Sequence, residues 1–137
     1  MWDLVTETCL PPGQSTNDDS ARLNDVRELA YDGQYQAALD VLDTMEDRET
    51  SLALTYYGFA YRKLGDVAEG MRYYQAALRN DPDNLLARSY MGQGHVAAGD
   101  LYLAWVQLGE IQARGGQGGW PEEALQQAIM TGQGYSY

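Results

Sequence analysis

Few residues in this chain are equipped for chemistry. His95 is the only histidine and Cys9 the only cysteine, so one imidazole and one thiol are the stock of groups that titrate or react near neutrality. Cys9 sits in Thr8-Cys9-Leu10-Pro11-Pro12-Gly13 with no base beside it. That favours an inert thiol over an intermolecular disulfide or a lipid attachment point. One Cys and one His cannot assemble a thiolate and imidazole zinc site. Asp81, Asp83 and Asn84 have the oxygen ligands calcium prefers, yet they flank Pro82 at a turn and no twelve-residue acidic loop follows. Gly115-Gly116-Gln117-Gly118-Gly119 lacks the following Lys of a phosphate-binding loop. Glu122 and Glu123 are adjacent, so on a helix they point in different directions and suit its positive N-terminus better than paired acid/base work. No catalytic residue, metal or cofactor is expected. What remains is recognition, and the conspicuous doublet there is Arg62-Lys63, which contains the only lysine, three residues after the only phenylalanine, Phe59.

Charge narrows the partners. Nine basic against twenty acidic residues give a net charge of −11 over 137 residues, which disfavours any phosphate backbone and hence nucleic acid. The acidity is local. Residues 1–50 hold twelve acids and three bases, 51–100 five of each, and 101–137 three acids and one base. The acidic N-terminal part reads as a solvated surface. No stretch has the roughly 18 apolar residues of a membrane span. The opening Met1-Trp2-Asp3-Leu4 has neither a basic nor an apolar signal region. Its irregular, Pro-rich continuation fits a periplasmic protein whose signal peptide has been removed and whose Met1 was supplied for expression, with the cytoplasm as the alternative.

The elements that must position these residues announce themselves as a repeat. At an offset of 34, Tyr57 falls on Met91, Gly58 on Gly92, Tyr61 on His95, Gly65-Asp66 on Gly99-Asp100, Gly70 on Ala104, Tyr74 on Leu108 and Ala77 on Ile111. A more worn copy lies upstream at an offset of 32, with Gly33, Tyr35, Ala38, Leu42 and Met45 in matching places. Each unit reads as two helices. Leu54, Tyr57, Gly58, Tyr61 and Leu64 make one amphipathic stripe, and Val67, Met71, Tyr74, Ala77 and Leu78 a second. Gly65 ends the first helix and Asp66 caps the second. Pro82 closes the unit and Asn84 caps the next. Gly58, Gly92, Ala38, Gly70 and Ala104 mark close helix approaches. The organisation expected is an irregular arm at 1–18, three repeats over 19–115 (about 19–50, 51–84 and 85–115), a Gly-rich link and capping helix at 116–131 with Pro121 in its first turn, and a flexible tail at 132–137.

This pattern resembles the tetratricopeptide repeat family, most clearly in Ser51–Asn84 with Tyr57-Gly58, Tyr61, Gly65-Asp66, Tyr74, Ala77-Leu78 and Pro82. Leu54 stands where the family often has Trp, Arg88 replaces it in the next copy, and Gly116 replaces the third Pro. The resemblance implies an all-α, right-handed helical-repeat solenoid whose first helices line a concave groove for a peptide or a partner's helix. The groove residues it implies are Thr55, Phe59, Arg62, Lys63, Ser89, Gln93 and Val96. Thr55, Phe59, Ser89 and Gln93 stand where chaperone-binding members carry the Lys and Asn of a carboxylate clamp, so a heat-shock-protein tail is not the expected ligand. The function expected is a non-enzymatic protein-interaction adaptor. Two alternatives are a self-assembling homo-oligomer using an end repeat or the aromatics Trp120, Tyr135 and Tyr137, and a small acidic-ligand binder using Arg62 and Lys63.

Overall fold

The computed structural model describes residues 13–133, with side chains from residue 18 onward. Cys9, Tyr135, Tyr137 and the segment 1–12 lie outside the described residues. The described residues form seven helices and no strand: α1 (Gly13–Tyr31), α2 (Tyr35–Leu42), α3 (Ser51–Lys63), α4 (Val67–Asn80), α5 (Leu85–Ala97), α6 (Leu101–Ala113) and α7 (Trp120–Thr131). The chain is an all-α helical-repeat protein. α1 starts inside the segment expected to be irregular. Once Val26 and Ala30 anchor the helix in the core, adding polar residues at its N-terminus requires no new nucleus.

The turns follow from side chains the sequence places there. Thr50, Asp66, Asn84 and Asp100 each accept a hydrogen bond from the backbone N–H three residues on, capping α3, α4, α5 and α6. Gly65 takes a φ of 102°. This left-handed turn lets the Asp66 N–H reach the Tyr61 carbonyl at 2.9 Å and closes α3. α2 stops at Leu42, earlier than its counterparts, and the loop after it is tied down by Asp19. That carboxylate accepts from the N–H groups of Glu46 and Asp47 at 2.9 and 3.0 Å.

Packing sorts the helices into two layers. α1, α3, α5 and α7 touch one another in succession, whereas α2, α4 and α6 touch only neighbours from the other layer. A stack whose odd helices are in contact and whose even helices are apart curves toward the odd ones, so these form the inner layer. Glycine sets the closest approach. A Cβ on Gly58 would stand 2.7 Å from the Tyr74 ring, and one on Gly70 would stand 2.8 Å from the Gly58 carbonyl oxygen. In the next repeat Gly92 is filled differently, since its Cβ would meet Leu125 of α7 at 2.7 Å. The buried Ala124, Leu125 and Ala128 seat α7 on α5 and α6. Asn84 joins consecutive repeats. Its Oδ1 caps α5, and its Nδ2 donates to Ser51 and Thr55 of α3 at 2.7 and 2.9 Å.

Candidate protein-binding site

Each inner helix contributes one ring to a row. Tyr31 of α1 meets Phe59 of α3 with centroids 6.1 Å apart, Phe59 meets Tyr90 of α5 at 4.7 Å, and Tyr90 meets Trp120 at the start of α7 at 6.2 Å. Tyr35 and Tyr74 add edges to the same cluster. The hydroxyls of Tyr31 and Tyr90 are hydrogen bonded to each other across the intervening repeat. Rings in edge and tilted contact favour one another beyond the area they bury.

Of the seven residues expected to line an open groove, Thr55, Phe59, Ser89, Gln93 and Val96 are instead buried in the chain's own interior and Arg62 nearly so, while Lys63 is half-buried. Arg62 and Lys63 both hold their charges 5.7 Å from the centroid of the Phe59 ring, within cation–π range. Phe59 itself is 0% exposed, between Tyr31 and Tyr35 on one side and Tyr90 on the other. It is the platform under the two cations. Ser89 and Gln93 are buried on α5, with Gln93 Nε2 donating to Ser89 Oγ at 3.1 Å. Thr55 is also buried. Its hydroxyl donates to the Ser51 carbonyl at 2.7 Å and accepts from Asn84, so it serves the junction between repeats. Val96 stands apart from the others, in a core with Ala104 and Ala128 where α5 meets α6 and α7.

Arg62 is the unusual member. It is 9% exposed. Its Nε donates to the Tyr74 hydroxyl at 3.2 Å, and its Nη2 is buried with no hydrogen-bond partner among the described residues. Buried guanidinium N–H groups are costly to leave unpaired. Gly94 makes the room. A Cβ there would lie 2.8 Å from Arg62 Cδ and 2.6 Å from Met71 Cε. Arg62 and Gly94, with Val67, Ala97 and Ala98, line a pocket of about 160 Å³, several times the roughly 30 Å³ of a water molecule. Burial, and then the adjacent guanidinium, lower the Lys63 pKa from its ordinary value. The two cations therefore crowd one another, which an incoming negative charge would relieve.

The other candidates take structural places. His95 is half-buried at the end of α5, and burial lowers its pKa against a smaller opposite pull from Asp100. Asp81 accepts from the Asp83 N–H, Asp83 pairs with Arg114 at 2.7 Å, and Asn84 caps. Glu122 accepts from the Gly118 N–H and from Gln112, which closes the Gly-rich link onto α7. Among the described residues no three His, Cys, Asp or Glu side chains are grouped to hold a metal ion, and no helix is long and apolar enough to cross a membrane. Tyr31 and Tyr90 were not among the expected site residues, and Trp120 was expected only as a self-assembly contact. A signal existed for one of them, because Tyr56 and Tyr90 are themselves 34 residues apart.

Comparison with known proteins adds one match. Residues 51–84, which hold α3, α4 and the turn into α5, match the family model described as the tetratricopeptide repeat. No curated protein and no solved structure matches the chain.

Proposed function

We propose that this chain, which carries a tetratricopeptide repeat at residues 51–84, is a non-enzymatic adaptor. On this reading it holds a segment of a partner protein along the inner helix layer, and Arg62 and Lys63 meet an acidic side chain or chain-end carboxylate of that segment. The repeat supports protein interaction in general. The choice of ligand rests on one observation, the buried Nη2 of Arg62 with no partner among the described residues. A carboxylate satisfies a guanidinium with short, charge-assisted bonds and matches its fork geometry. Phe59 is then the floor under the two cations, held between Tyr31 and Tyr35 on one side and Tyr90 on the other. A three-repeat surface of this size suits micromolar affinity, on the order of −8 kcal/mol.

The reading is tested by titrating isotope-labelled protein with acidic peptides and their amidated counterparts. Chemical-shift changes at Arg62, Lys63, Gly94 and Ala97 for the acidic form alone are the expected result. Changes confined to α2, α4 and α6, or equal response to the amidated peptides, would overturn it.

A further inference from the structure

The even layer ends on a helix that is apolar on both sides. α6 buries Ala104, Leu108 and Ile111 against α5 and α7. At about 100° per residue, the side opposite carries Tyr102, Val106, Gly109 and Ala113, all exposed, with Trp105 on its flank. Tyr102 is 75% exposed and Trp105 56%, and Leu101, Leu103 and Val106 are also open. No described helix covers this side. Gln107, Glu110 and Gln112 lie between the two apolar sides, with Glu110 paired to Arg114, and a contiguous exposed apolar patch such as the outer one marks an interaction surface.

We infer that the outer stripe of α6 pairs antiparallel with the same stripe of a second copy, making a two-fold dimer. The order of sizes along the stripe is the first reason. Spaced four, three and four residues apart, Tyr102 and Val106 are the large members at one end of the stripe and Gly109 and Ala113 the small ones at the other. Laid against itself in the opposite direction, the stripe sets Tyr102 on Ala113 and Val106 on Gly109, each large side chain over a small one, which is the self-complementarity an isologous interface needs. A parallel pairing would set Tyr102 on Tyr102. Gly109 is open on this side, with nothing within 4 Å of where its Cβ would stand, so it offers Val106 a seat. Charge is the second reason. The stripe is uncharged, while residues 18–50, in α1, α2 and the loops that follow them, hold ten acids and three bases. Pairing through α6 joins copies away from their most repulsive part. Area is the third. The two aromatics and their apolar neighbours offer on the order of 500 Å² per copy. Two copies then bury roughly 1,000 Å², the lower bound of a specific interface. The dimer is thus a weak one that forms in the micromolar range.

The test is sedimentation of the full chain from about 1 μM to about 1 mM. The mass is expected to rise from one chain to two across that range, and Val106→Arg or Tyr102→Lys to hold it at one with an unchanged helical spectrum. Combining Tyr102→Lys with Ala113→Glu places opposite charges face to face in the antiparallel register and is expected to restore the dimer at low salt. A wild type that stays single throughout, or a dimer that survives Val106→Arg, would overturn the inference. Failure of the charge pair to rescue would overturn the antiparallel register.

Discussion

Arg62 of α3 donates from Nε to the hydroxyl of Tyr74 on α4 at 3.2 Å, in an interior where Tyr74 is 0% exposed. The pair is the hinge of the functional account, because the same guanidinium carries the unpaired Nη2. It also makes stability and binding separable. Replacing Arg62 with Met removes the charge but strands the Tyr74 hydroxyl, at a cost of about 1–3 kcal/mol. Adding Tyr74→Phe removes the stranded group as well. The double variant is expected within about 1 kcal/mol of wild type, or above it, since apolar groups of similar shape often replace a buried charge without loss. Denaturant unfolding of the two single variants and the double forms the cycle. Simple addition of the single costs would contradict the coupling.

The glycines should answer by what surrounds them. Gly70→Ala would drive a methyl against the backbone oxygen of Gly58, so α3 and α4 must separate, costing about 1–3 kcal/mol. Gly94→Ala meets only the flexible Met71 and Arg62 side chains and should cost less. Gly109→Ala meets nothing within 4 Å inside a helix. In dilute solution it should add roughly 0.5–1 kcal/mol of stability. Thermal melts of the three variants give the order directly, and a Gly94 variant less stable than the Gly70 one would contradict it.

Much of this order was legible in the residues. Gly58 and Gly70 lie on the apolar stripes of their helices, and a small residue inside a stripe can only mean close approach. The caps Asp66, Asn84 and Asp100 were equally plain, because a side-chain oxygen at a helix start has one local use. The row of rings was not legible in the same way. Tyr31, Phe59, Tyr90 and Trp120 come from four helices and share no single spacing, so only the stacking of repeats brings them together. Arg62 is expected at the groove, and nothing in the local pattern reveals that Gly94, 32 residues on, opens a buried space for it. Phe59 reads equally as a groove residue or as packing on a neighbouring repeat, for a related reason. It lies off the stripe that faces α4, and it is covered by Tyr31, Tyr35 and Tyr90 from the repeats on either side.

Tyr73 supports the outer side of the central repeat. Its ring stacks on Tyr57 at 5.0 Å and on Tyr61 at 5.4 Å, nearly parallel to both. Tyr73→Leu keeps an apolar side chain but removes both stacks. At about 0.5–1.5 kcal/mol for each aromatic pair, the loss should be roughly 1–3 kcal/mol. An equal loss in Tyr57→Leu/Tyr61→Leu and in the triple variant would confirm that the three rings act together. Independent, additive losses would not fit.

His95 gives the fold a pH dependence of known sign. Burial lowers its pKa in the folded chain below the ordinary 6.5, so the unfolded chain binds the proton more tightly. The stability His95 supports is present above about pH 6.5 and is lost as pH falls toward the lower folded value. The His95→Gln variant should lack that part of the decline. Parallel urea titrations of the two proteins between pH 5 and pH 8 measure the difference, and identical slopes would contradict the burial of the imidazole.

The central claim is that Arg62 reads a partner's acidic group, and its most direct test uses a bait that keeps the fold and lacks the cation. Wild type and Arg62→Met/Tyr74→Phe, matched in helical spectrum and melting temperature, are each incubated with native extract, and the captured proteins are identified by mass spectrometry. A protein held by the wild type, released as salt is raised and absent from the double variant is the expected result. A protein captured equally by both baits would contradict the role of Arg62, and capture of nothing by either would contradict the adaptor reading itself.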